Sequence, residues 1–205
     1  MLELHAATQD ARFLDAARRA ADWAMTQPLS ANWNYNSFSV YLLAEMHLAT
    51  GETRYRDAAL EKARYGVLPG QLRDGPRAGR WHDPHNARPA YHYIMLRALA
   101  RLTTALPVDN AHRSSVEAAL RLGLRVRNAD LLGPGAANKD KTMETLLLVR
   151  DAYRDAPAFL EDSLSSDAFA ALERLIIVQL RSGRDPLGPR AHGRYLADAA
   201  ARSKP

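Results

Sequence analysis

The sequence predicts an all-α protein, a single domain over residues 1–205 built from antiparallel helix hairpins. Three observations predict it. First, the chain repeats itself: Glu3 to Trp23 matches Glu45 to Tyr65 at an offset of 42 residues, with Glu3/Glu45, His5/His47, Thr8/Thr50, Arg12/Arg54 and Asp15/Asp57 identical and Phe13/Tyr55 and Trp23/Tyr65 aromatic equivalents. Second, apolar residues recur with the helical period almost throughout, while strand-like alternation is nearly absent. Third, Gly-, Pro- and Asn-rich stretches interrupt that period and divide it into helix-length pieces.

Each element follows from its own residues. The stub Met1–Thr8 reads as the last two turns of a helix whose beginning is missing, since its repeat partner closes a full helix. Further helices are expected at about 10–26, 36–50, 53–66, 87–106, 110–127, 141–155 and 166–182, with a short one at about 193–202. The first of these carries one small-residue stripe, Phe13, Ala16, Ala17, Ala20, Ala21 and Ala24, with Arg and Asp opposite, so it belongs on the outside. The second runs Phe38-Ser-Val-Tyr-Leu-Leu-Ala-Glu-Met46, apolar on most faces, and belongs inside. Asn36 stands ahead of it as an N-cap, as Asn86 and Asp140 do for later helices. The tight turn Thr50-Gly-Glu-Thr53 opens the third. Val116, Ala119, Leu120, Gly123 and Leu124 make 110–127 another one-sided outer helix, and the apolar run Met143 to Val149 makes 141–155 an inner one.

Inner and outer helices thus alternate, as in a repeat array that hides its apolar faces by stacking neighbours. The connections alternate as well. Inner-to-outer turns are short, whereas the outer-to-inner connections 27–35, 67–86, 128–140 and 183–192 are long. In a hairpin array all long connections emerge on one rim, at the N-termini of the inner helices, and functional residues concentrate on such loops.

Bulk composition excludes several classes. Hydrophobic content of 47% and charged content of 25% are those of a globular domain with a substantial core. The absence of Cys removes disulfides, thiol nucleophiles and thiolate metal sites. No apolar run reaches the ~20 residues of a membrane span, and the N-terminus lacks the form of a signal peptide, which makes the cytoplasm the default compartment. The formal charge of +5 invites a nucleic-acid reading, but only four of the 28 basic residues are Lys and no nucleic-acid-binding motif accompanies them. Arg97, Arg101, Arg121, Arg150 and Arg174 sit singly on helix faces and read as solvated surface charges.

The segments Glu3-Leu-His-Ala-Ala-Thr-Gln-Asp-Ala-Arg-Phe-Leu-Asp-Ala-Ala17 and Ala44-Glu-Met-His-Leu-Ala-Thr-Gly-Glu-Thr-Arg-Tyr-Arg-Asp-Ala-Ala59 resemble the helix hairpins of the α/α-toroid, or six-hairpin glycosidase-like, superfamily. The resemblance covers about residues 1–127 and implies a partial α/α toroid of roughly three and a half to four hairpins against the superfamily's six. It implies a carbohydrate-active protein, as the superfamily's members include glycoside hydrolases, polysaccharide lyases and sugar epimerases, with the site on the long-loop rim. An open toroid exposes inner-helix flanks, which predicts self-association or a missing N-terminal portion.

The chemistry-bearing residues cluster between Pro69 and Tyr93. One reading is a lyase or epimerase on an acidic glycan: Arg73, Arg77, Arg80 and Arg88 hold the anion, since guanidinium forks match planar anions. Trp33, Trp81, Tyr35 and Tyr91 stack on sugar rings, His85 or Asn86 neutralises a carboxylate, and His92 or Tyr91 removes the adjacent proton. A second reading is hydrolysis through Asp74, Asp83 or Asp140, which needs two carboxyls ~5–9.5 Å apart. A third, a metal at His82-Asp83-x-His85, lacks a second matching half, so no metal or other cofactor is assigned. Against these stand plain structural roles: Asp74-Gly75-Pro76 as a turn, Asp83 as an ion-pair partner of Arg80 or Arg88, and repeat-equivalent His5 and His47 as packing or hydrogen-bonding groups. The rival of another class is a noncatalytic helical-repeat module that binds a glycan or a protein on the same rim.

Overall fold

The computed structural model describes residues 1–82, 89–132 and 139–154, together with positions 156, 158, 159, 170, 173, 174, 177, 178, 181, 193–196 and 199; the side chains at 89, 90, 127–132, 139, 140, 142 and 143 fall outside that description. The helices are α1 (Leu2–Thr8), α2 (Ala11–Thr26), α3 (Trp33–Thr50), α4 (Thr53–Gly66), α5 (Pro89–Ala105), α6 (Arg113–Leu132) and α7 (Lys139–Ala152), with a 3-10 turn at Leu68–Gly70. Among the described residues there is no strand, only an isolated antiparallel bridge between Gln71 and Trp81. In the two C-terminal segments where helices are expected, every described position is helical. No described helix is long and apolar enough to cross a membrane.

The repeat is visible atom by atom. In α1, Thr8 Oγ1 donates to Leu4 O at 2.7 Å, and in α3 Thr50 Oγ1 donates to Met46 O at 2.7 Å. His5 Nδ1 lies 3.1 Å from Asp10 O, and His47 Nδ1 lies 3.1 Å from Glu52 O. A carbonyl oxygen only accepts, so each ring carries its proton on Nδ1 and clamps the following turn. The residue closing each helix is left-handed, Gln9 at φ 58° and Gly51 at φ 73°, and its N–H returns to the histidine carbonyl at 2.8 and 2.7 Å. The shared hydrogen bond expected of His5 and His47 is the role they have.

Two starts differ from expectation. Helix α3 begins at Trp33 because Asn32, rather than Asn36, caps it, its side chain accepting from Asn34 N at 3.1 Å. Asn36 lies inside the helix and is buried, and its amide clasps Ser30 N, Ser30 O and Gly66 O, each at 2.8 Å. It therefore anchors the 27–32 connection to the end of α4. Asp140 falls within the first turn of α7 instead of ahead of it, and Asn86 lies outside the described residues.

Helices α3, α5 and α7 lie side by side, α1 lies against α3, and α2, α4 and α6 pack behind, with successive pairs α1–α2, α3–α4 and α5–α6 in contact. Burial follows the two helix types. The α5 segment from His92 to Ala100 is buried without a break, whereas α2 buries only Ala17, Ala21 and Ala24. Helix α3 is intermediate. One flank packs broadly on α5, the seven-residue α1 and α2 contact it less extensively, and Phe38 and Leu48 remain over a third exposed.

Candidate functional site: a cavity on the inner helices

The 67–82 connection is a built structure. Leu72 N donates to Arg80 O, Gly79 N to Leu72 O and His82 N to Gly70 O, at 2.7–2.8 Å. Gly75 and Gly79, at φ 72° and 85°, make its turns. Gln71 Nε2 ties it to Ala119 O of α6 at 2.8 Å, and Trp81 Nε1 donates to Val67 O at 2.8 Å. Trp33 lies across Gly70, so close that an added Cβ would meet its ring at 2.4 Å, and its Nε1 reaches His82 O at 3.3 Å.

This construction corrects part of the expected rim site. Trp81 is fully buried and His92 is 1% exposed, the two rings meeting edge to face at 5.7 Å. Neither presents a face to a sugar, because both hold the loop against the start of α5. Trp33 is half-buried, with one side of its ring against Gly70. Arg73, Asp74 and Arg77 are exposed on the hairpin tip, Arg80 is half-buried, and Tyr91 is half-buried with Lys141 Nζ 5.5 Å from its ring centre. The structure thus brings Trp81 and His92 together as packing rings, sets Trp33 against Gly70 of the same connection, and leaves Asp74 and Arg77 exposed. Asp83, His85, Asn86 and Arg88 lie outside the described residues.

An open pocket lies on the inner helices instead. A cavity of about 600 Å³ is walled by Leu2 and Ala6 of α1, Ala16, Ala17 and Ala20 of α2, and Leu42, Leu48 and Ala49 of α3. Tyr41 and Glu45 of α3, Arg101 of α5, Glu144 of α7, Glu3 and Arg194 supply its polar groups. The alanine stripe of α2 makes room for it. Arg101 grips Glu45 through two bonds of 2.8 and 3.0 Å and lies 3.8 Å from Asp151. Burial pulls the Arg101 guanidinium down, but the charge and hydrogen bonds of Glu45 outweigh it and leave its pKa above the ordinary value. Beside the cavity Arg97 pairs with Glu144 at 2.7 Å, with both side chains under a tenth exposed, and stacks 4.2 Å from the Tyr41 ring centre. Burial foremost, and then the charge of Glu45, pushes the Tyr41 phenol well above its usual range. Arg194 reaches Glu3 at 3.7 Å and so brings the C-terminal helical positions to α1.

The chain matches no family model, no curated protein and no solved structure.

Arg97 and Arg101 were expected as solvated surface charges, and the structure places both in the inner layer. Each stands on a helix buried on most sides, where an ionised group persists only if an opposite charge meets it. The partners come from the neighbouring inner helices, Glu144 of α7 and Glu45 of α3. A usable signal was in the sequence: charges set into otherwise apolar inner helices are more informative than charges on polar faces. Chemically, the lining combines apolar walls, an aromatic hydroxyl and the paired groups of Arg101 and Glu45. Among the described residues no group of three or more His, Asp or Glu is arranged to hold a metal ion.

Proposed function

We propose that the chain is a carbohydrate-binding protein of the α/α-toroid type that holds its sugar in the inner-helix cavity instead of on the rim loop. One observation carries this reading: polar groups from α3, α5, α7 and residue 194 converge on a single apolar-walled cavity of about 600 Å³. That volume falls within the ~300–1,000 Å³ of small-molecule sites, which combine apolar walls with a few placed polar groups. A pyranose is amphipathic in the same sense, with C–H faces for the alanine and leucine walls and hydroxyls for the Arg101–Glu45 pair and Tyr41. Both Glu45 and Glu144 are held by guanidinium groups. They act as fixed hydrogen-bonding groups, which favours binding over general acid–base turnover.

The test is calorimetric titration of the full chain with neutral and acidic mono- and oligosaccharides, alongside assays for new reducing ends and unsaturated sugar products. Saturable heat without product is expected, and Ala20→Phe, which drives a ring into the cavity wall, should weaken it while the helical circular dichroism persists. Heat unchanged in Ala20→Phe, or no heat with any sugar, would overturn the proposal. Product formation would make the protein an enzyme and return attention to the rim.

A further inference from the structure

We propose that Arg194 is the anion-selecting group of this cavity, so that the ligand is a sugar bearing a carboxylate or sulfate; this rests on the carbohydrate reading above. The arginines at and beside the cavity differ in how fully they are engaged. Arg101 is held by both oxygens of Glu45, and Arg97 by the buried carboxylate of Glu144. Arg194 is only 23% exposed, yet among the described residues its ion pair is with Glu3 at 3.7 Å, too long for a hydrogen bond. The Glu3 side chain is itself 91% exposed.

A guanidinium offers five N–H donors in a fork that fits a planar or tetrahedral oxyanion through two parallel bonds. Glu3 leaves that fork unfilled, and a carboxylate so exposed returns to water at little cost, since exposed ion pairs contribute little. The backbone that carries the fork is also placed. Positions 193–196 are helical, and the adjacent Tyr195 packs against the hydrophobic core. A sugar carboxylate or sulfate entering the cavity therefore displaces Glu3 and takes Arg194, while the internally neutralised Arg101–Glu45 and Arg97–Glu144 pairs stay as they are. A neutral sugar offers Arg194 only hydroxyl acceptors, which form weaker hydrogen bonds than a charged oxyanion does.

The experiment titrates the full chain with glucuronate, glucose 6-sulfate, glucose and inorganic sulfate, by calorimetry and by the ¹⁵N side-chain signals of the arginines. The variants are Arg194→Gln, Arg194→Lys and Glu3→Gln. The wild type should prefer an acidic sugar over glucose by about tenfold or more, the scale of one displaced weak pair replaced by a bidentate one. Whichever of glucuronate and glucose 6-sulfate is preferred identifies the anion. Arg194→Gln should lose the preference, weakening acidic-sugar binding about tenfold more than glucose binding; Arg194→Lys should keep part of it, and Glu3→Gln should strengthen acidic-sugar binding by removing the competitor. A preference that survives in Arg194→Gln, or weakens in Glu3→Gln, would overturn the assignment. If no sugar binds but inorganic sulfate still moves the Arg194 Nε signal, the carbohydrate reading fails and the anion site stands. If sulfate also leaves that signal unmoved, the anion site fails with it.

Discussion

Replacing Arg97 with Met is the most searching perturbation of the inner layer. The Arg97–Glu144 pair is 2.7 Å long, its side chains are 8% and 9% exposed, and it joins α5 to α7. Met fills most of the volume of the arginine stem, so packing against Tyr41 and Phe38 is largely kept and the change isolates the charge. It leaves Glu144 buried without its counter-ion, a loss of about 3–5 kcal/mol for pairs of this kind. For a domain of this size that corresponds to a drop of roughly 6–20 °C in Tm. Yet the pair is imperfect, because Arg97 Nε finds no acceptor among the described residues. Converting both partners to apolar residues, Arg97→Met with Glu144→Leu, should therefore restore most of the stability or exceed that of the wild type. Urea unfolding followed by far-ultraviolet circular dichroism measures all four corners of the cycle. A single-variant loss below about 1 kcal/mol, the size of an exposed pair, would refute the argument. So would a double variant as unstable as the sum of the singles.

Further outcomes can be checked independently. Gln9→Gly should stabilise α1 by up to about 1 kcal/mol, because Gln9 adopts the left-handed geometry that Gly51 adopts at the equivalent position; slower hydrogen exchange of the α1 amides would show it. Gly70→Ala should cost about 1–3 kcal/mol by driving a methyl group into the Trp33 ring, with a matching change in tryptophan emission. Burial raises the Tyr41 and Tyr153 phenols above their ordinary value in the folded chain. Their contribution to stability is thus fully present below about pH 10, the unfolded value, and is lost as pH rises towards the folded values. Alkaline unfolding of the double variant Tyr41→Phe/Tyr153→Phe should accordingly begin at a higher pH than that of the wild type.

The all-α class was legible because the sequence states its helix–turn–helix segment twice. Two copies of one helix–turn–helix segment carry the same His, Thr and Asp or Glu positions, and those residues make the same hydrogen bonds in both. The alternation of one-sided and wholly apolar helices likewise reports which of them lie inside. The site was less legible, for two physical reasons. Loop residues such as Trp81 and His92 have chemistry suited to a ligand, but the same ring surface can brace a loop, and only burial distinguishes the two uses. Conversely, Glu45, Arg97, Arg101 and Glu144 stand far apart in sequence, and their pairing depends on which inner helices are neighbours. The cavity depends on the small residues of α2 and on the return of Arg194 to Glu3, a juxtaposition that no local pattern encodes.

The most direct test of the central claim is a chemical-shift footprint of the bound sugar. The cavity account expects the backbone amides of Ala17, Ala20, Tyr41 and Glu45 to shift on titration, while those of Gly75, Arg77 and Gly79 on the rim hairpin stay still. Shifts confined to the rim hairpin, with the cavity amides unmoved, would contradict it.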